Sequence, residues 1–210
     1  GSKANIQSID AGDYQLGTVQ SDVLAYAWEG TRSFEEEGKI DSFRVVAGLY
    51  AEAVQLITMD PEIKSVADLA GKSVSIGAPG SGVYFNAVDV LAAAGLTEND
   101  INAQYQSFAD STDALKDGKI DAAFIVAGAP TPAITELCTT NDAYLVPIDG
   151  EIAEKIMADC PFYTTYSIPA GTYPGQDADV TTVTVKATLI VDAAASEDDV
   201  YNLTKAIFYN

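Results

Sequence analysis

The sequence predicts an α/β protein of two lobes, each a mostly parallel sheet flanked by helices. Two observations predict it. Short apolar, β-branched runs alternate with helical segments along the chain, the order that makes parallel strands with covering helices. A weak internal repeat also relates residues 6–19 to 112–126, each reading as helix, glycine stop and buried strand, with Gly12 and Gly118 where a helix end tolerates φ > 0.

The elements follow in order. The first repeat ends in a strand to Val19, the polar corner Gln20-Ser21-Asp22 and a helix over 23–28. Residues 43–47 and 54–59 read as two strands, 65–69 as a short helix stopped by Gly71, and 74–77 as a buried strand. That strand runs into the small-residue corner 77–82, and the apolar stretch 83–94 reads as a helix ended by Gly95. The second repeat leads to Gly128-Ala129-Pro130-Thr131, with Pro132 suited to a first helical turn. A strand at 144–148, a helix at 151–159 carrying Ile152 and Ile156, and a long β-branched strand at 183–191 come next. Ser196 then caps a last helix, with Glu197, Asp198 and Asp199 at its positive end. The predicted division is 1–58 plus 180–210 for the first lobe and 59–179, with the crossing segments, for the second. The first lobe holds few strands of its own, so residues flanking this sequence are expected in the natural protein.

Composition excludes several classes. The chain has 210 residues, 48% of them apolar, enough for a substantial core, and no apolar run approaches the ~20 residues of a membrane helix. The formal net charge of −20 opposes binding to nucleic acid. There is no histidine, which removes histidine-based triads and most transition-metal sites, so neither metal nor cofactor is expected. Arg32 and Arg44 are the only arginines, so an anionic ligand must be held mainly by backbone amides, hydroxyls or lysine. Cys138 and Cys160 fit no zinc or thioredoxin spacing; they read either as buried free thiols or as a disulfide, whose loop of roughly twenty residues is worth about 3 kcal/mol.

Ligands of open α/β sheets bind where strand ends feed helix N-termini. Three such corners are readable. At the first, Pro79, Gly80, Ser81 and Gly82 allow close backbone approach, and their amides suit a carboxylate; the alternative is an ordinary turn capped by Ser81. No lysine follows these glycines, which excludes a Walker loop. The second, Gln20, Ser21 and Asp22, offers an amide, a hydroxyl and a carboxylate suited to an ammonium, or simply a helix cap. The third, Gly128 to Thr131, needs no ligand to explain its proline and threonine. Tyr50, Tyr163, Tyr166 and Tyr173 are aromatic candidates, with core packing as the alternative for each. No nucleophile has an identifiable base.

Five segments carry a family resemblance: 64–82 (KSVADLAGKSVSIGAPGSG), 114–122 (ALKDGKIDA), 147–150 (PIDG), 161–163 (PFY) and 168–173 (IPAGTY). In this order they resemble the TAXI family of TRAP-transporter substrate-binding proteins. The resemblance implies a type II periplasmic-binding-protein fold and an extracytoplasmic receptor, periplasmic or a cell-surface lipoprotein, that is not an enzyme. Such a receptor captures an amino acid or dicarboxylate, such as glutamate or glutamine, between two lobes by hinge closure and delivers it to TRAP permease subunits. By position, Gln20, Ser21 and Asp22 match the family's strand-end motif. Pro79, Gly80, Ser81, Gly82 and Asn86 match its second-lobe loop, and Tyr50 falls in a Leu-Tyr-Pro-Glu block in which Ala51 replaces the proline. Gly128 and Thr131 complete the expected ligand set from the corner reading. The family's opening strand and glycine-rich loop have no counterpart in this sequence. Two alternatives use the same architecture: an enzyme, disfavoured by the missing histidine and nucleophile, and a regulator's ligand-binding domain, disfavoured by the charge.

Overall fold

Glycines and capping side chains start and stop the helices of the structure, a computed structural model that describes residues 1–209. In chain order the elements are α1 (Ser2–Asp10), β1 (Leu16–Gln20), α2 (Ser21–Glu29), β2 (Phe43–Thr58), β3 (Ser73–Ser75), α3 (Gly82–Ala93), β4 (Asn102–Gln104), α4 (Phe108–Lys116), β5 (Ala122–Ala127), α5 (Pro132–Thr140), β6 (Tyr144–Val146), α6 (Gly150–Asp159), β7 (Thr164–Ile168), β8 (Val180–Asp192) and α7 (Glu197–Phe208). Single 3-10 turns lie at Arg32–Phe34, Val66–Leu69 and Glu98–Asp100. The chain divides into two units. Unit 1 takes Gly1–Tyr50, Gly80–Gly82 and the chain from Lys186 onward, and unit 2 takes Ala51–Pro79 and Val83–Val185.

In unit 1, β1 pairs antiparallel with β8, Leu16 opposite Val191 and Gln20 opposite Ala187, and β8 also pairs with β2. α1 lies on β1, burying Ile6 and Ile9. α2 closes with Gly30 in the left-handed region (φ 67°), its N–H on Ala27 O and the Thr31 N–H on Tyr26 O, which satisfies carbonyls the helix end leaves open.

In unit 2, β5 pairs antiparallel with β2 from Ala53–Ala127 to Thr58–Ala122 and parallel with β3, which pairs parallel with β4. β6 adds to the end of β2 and β7 to the start of β8, both antiparallel. Ile57, Ile125, Leu115, Ile134 and Leu137 meet in one buried cluster, so the sheet face formed by β2 and β5 is sealed by α4 and α5. The Ser65 and Asp68 side chains form a reciprocal capping box on the Val66–Leu69 turn, and Ser107 and Ser196 cap α4 and α7.

Three expectations change. The stretches 43–47 and 54–59 are one 16-residue strand, because residues 48–53 contain no turn-forming pair and β8 backs them as a partner. The fold is α/β with flanking helices, but its sheet is mixed where a mostly parallel one was expected; only β3 runs parallel to its neighbours, since β2 and β8 are long strands that pair antiparallel. β4 and β7 were not read from sequence: Asn102-Ala103-Gln104 is three residues long, and Thr164–Ile168 is polar on its exposed positions. Cys138 and Cys160 are thiols not joined in a disulfide, and no helix among the described residues is long and apolar enough to cross a membrane.

Gly30→Ala tests the α2 stop. The new Cβ would sit 2.6 Å from the Lys39 nitrogen, which is backbone and cannot swing aside, and the residue would keep a positive φ. Urea denaturation should show a loss of about 1–3 kcal/mol.

Candidate functional site

The first-lobe corner and the glycine corner meet within unit 1. Gln20 ends β1 and stands as the N-cap residue of α2, with extended backbone (φ −76°, ψ 145°). Its N–H donates to the Ser2 hydroxyl (3.2 Å), which holds the strand end to the start of α1. Its side chain is 4% exposed, and the Oε1 has no hydrogen-bond partner. The amide fills the space that a side chain at residue 82 would need, since an ideal Cβ on Gly82 would lie 1.7 Å from Oε1. Gly80, at φ 73°, turns the chain into this position, and Gly1 abuts Ser81 from the other direction. Three helix starts therefore converge on one small region: Ser2 of α1, Ser21 of α2 and Gly82 of α3. Helix N-termini present unpaired N–H groups and partial positive charge, so the region suits an anion.

The neighbours of Gln20 have defined work. The Ser21 hydroxyl accepts the Lys186 N–H (3.1 Å), which ties α2 to β8. Asp22 is fully buried in the first turn of α2, where the helix dipole favours a carboxylate. Tyr50, at the end of the unit 1 part of β2, is 54% exposed.

The remaining predicted residues lie in unit 2, in two groups. Asn86, buried on α3, donates through Nδ2 to the Tyr163 hydroxyl, which in turn donates to Asp89 Oδ2 (3.0 Å). Pro79 is exposed at the start of the glycine corner. At the third corner Thr131 donates its hydroxyl to Gly128 O (3.0 Å) and accepts from Gln55 Nε2 (2.9 Å). Its N–H donates to the Tyr173 hydroxyl (2.9 Å), and that hydroxyl donates to Gln55 Oε1. The three side chains close a ring in which each buried group has a partner, so the polar atoms of Thr131 are committed within the protein. Burial pushes the Tyr173 phenol up from its ordinary value, so it remains a donor at neutral pH. Burial likewise pushes the Cys138 thiol up, away from a reactive thiolate.

Gln55 and Ser2 were missed in the sequence. Gln55 had a readable signal, a lone amide inside the apolar run Val54-Gln55-Leu56-Ile57. Ser2 had none, because its role depends on where β1 ends.

Known proteins agree with this fold. The NMT1-like family model matches residues 1–210, and the chain belongs to that family. The aliphatic sulphonate-binding protein SsuA of Escherichia coli superposes with a TM-score of 0.56 at 16% identity, covering 99% of this chain and 57% of that one. The alkanesulfonate-binding protein SsuA of Xanthomonas axonopodis pv. citri, bound to MOPS, gives 0.56 at 19% identity over 98% and 58%. A periplasmic binding protein of an ABC transporter from Brucella ovis, with glutathione bound, gives 0.51 at 11% over 97% and 50%. The chain thus has the periplasmic-binding-protein fold and spans about half to three fifths of the length of these structures.

Tyr173→Phe tests the ring. It strands the Thr131 N–H and the Gln55 carbonyl in a dry interior, and chemical denaturation should register a loss of about 1–3 kcal/mol.

Proposed function

With membership of the NMT1-like family as the premise, we propose that this chain is a solute-binding receptor working outside the cytoplasm and serving a TRAP-type permease. Of the amino acids and dicarboxylates expected from the sequence, its solute is a small amino acid of the glutamate or glutamine kind, and it performs no catalysis. One observation carries the reading: the buried Gln20 amide, whose Oε1 has no partner, set against Gly82 at the start of α3. A buried carbonyl without a donor costs about 1–3 kcal/mol, a cost that a bound ammonium or amide N–H removes. The amides around Ser81 and Gly82 suit the carboxylate of the same molecule, and charge-assisted bonds of that type are among the stronger ones. One zwitterionic solute can meet both demands. A simple dianion would leave Oε1 unsatisfied. The ligand-bearing neighbours bind sulfonates and glutathione, molecules that carry an anionic group, which is in keeping with an anion-directed corner. In this reading Tyr50 is the outer member of the ligand set within unit 1, whereas the polar atoms of Thr131 are committed to Gln55, Gly128 and Tyr173 and take no part.

Isothermal titration with glutamate, glutamine, succinate and an alkanesulfonate tests it. Glutamate or glutamine should bind with release of heat, and succinate should bind at least about tenfold more weakly, a difference of ~1.4 kcal/mol. Heat from the sulfonate alone, or from none of the four, would reject the amino-acid reading. Gly82→Ala should weaken the same titration by about tenfold or more, because the added methyl expels the Gln20 amide from its place. An unchanged affinity in this variant would move the site elsewhere.

A further inference from the structure

The unit 1 part of β2 is an open sheet edge. Phe43–Tyr50 pairs with β8 on one side, whereas β5 pairs with β2 only from Ala53 onward and β6 only from Leu56. The peptide groups that face the open side can be named. Ala193 N donates to Ser42 O (2.8 Å), and Asp192 N donates to Gln15 O (2.9 Å), so odd residues of β8 face β2 and even ones face β1. By the alternation of antiparallel ladders, even residues of β2 direct their N–H and C=O at β8. Val45, Ala47 and Leu49 therefore direct theirs at the empty side.

This edge lacks the usual guards. It holds no proline, no lysine and no acidic residue, and its one charge is Arg44. Val45 is 56% exposed, and Tyr50 is exposed as well. Natural sheets blunt such edges with charge, proline or bulges, because unpaired N–H and C=O groups in an apolar strand recruit another strand. Trp28 lies edge-on to Phe43 with ring centroids 5.9 Å apart, extending the apolar surface at the start of the strand.

We propose that this edge pairs with the same edge of a second copy of the chain, antiparallel about a two-fold axis at Ala47. The strand is complementary to itself in that register. Val45 meets Leu49 of the second copy and Leu49 meets its Val45, which matches the outward peptide groups of both. Arg44, whose Nη1 also donates to Asp41 O (2.9 Å) and Phe43 O (2.7 Å), stands across from the exposed Tyr50 of the second copy, and Val46 stands across from Gly48, over which the aliphatic stem of Lys186 lies. Charge selects this seam. In a chain of net −20, most faces of two copies repel each other, and residues 43–50 carry a single positive charge.

Sedimentation velocity over about 1–100 μM tests the proposal. The chain should shift with concentration from 22.1 kDa to twice that mass. Ala47→Pro should abolish the larger species, since it deletes an N–H on the open side and leaves the β8 ladder intact; far-UV circular dichroism and the melting temperature verify its fold. Val45→Lys, which cannot harm the ladder, should do the same through a guarded edge. Amide exchange at Val45 and Leu49 should slow only at concentrations where the dimer forms. A wild-type chain of 22.1 kDa throughout, a dimer unaffected by either variant, or protection of those amides in the monomer, which would mean another occupant, overturns the proposal.

Discussion

The absence of one side chain, at Gly82, is the constraint on which the candidate site depends. Glycine there lets the Gln20 amide lie against the start of α3, and no other residue leaves that volume free. Gln20 is in turn held by β1, by the Ser2 hydroxyl and by its place at the head of α2. The arrangement puts a polar side chain in the interior without a partner for its oxygen, which is tolerable only because the region is small and surrounded by helix ends. Proteins concentrate such unmet demands at functional positions, where the cost is recovered when a ligand arrives.

The proposed chemistry follows from a shortage. With no histidine and only two arginines, side-chain forks for an anion are scarce in this chain, and the proposed site relies instead on peptide N–H groups at helix starts. Backbone donors are rigid and do not titrate, so a site built from them keeps its preference for anions across the range of pH in which the fold is stable. Specificity then falls to the few side chains that face the solute, and Gln20 is the one whose environment is most fully determined by the structure.

Much of this fold was legible because its punctuation is strong. Gly12, Gly95 and Gly118 all adopt positive φ at the places where helices were expected to end, and Ser196 caps the last helix as expected. The direction of the strands was less legible. Alternating strands and helices suggested parallel pairing, yet β2 and β8 are long and pair antiparallel with β5, β6, β1 and β7, and nothing local in a β-branched run records the direction of its neighbour. The two corners of the site were visible as motifs of small and polar residues. That Gln20 is inserted where Gly82 lacks a side chain was not visible, because 62 positions separate them in sequence and only the close approach of backbones makes them neighbours.

The Gln55–Thr131–Tyr173 ring has a consequence for how the chain acquires its structure. Thr131, the residue that heads α5, gives its N–H to a phenol 42 positions later, in the stretch that follows β7, and not to a residue of its own turn. A helix start of this kind is a long-range contact disguised as local structure. Residues 132–140 cut out as a peptide would lack it, and during refolding the head of α5 should settle only after the Tyr173 segment has docked, however early the rest of the helix winds.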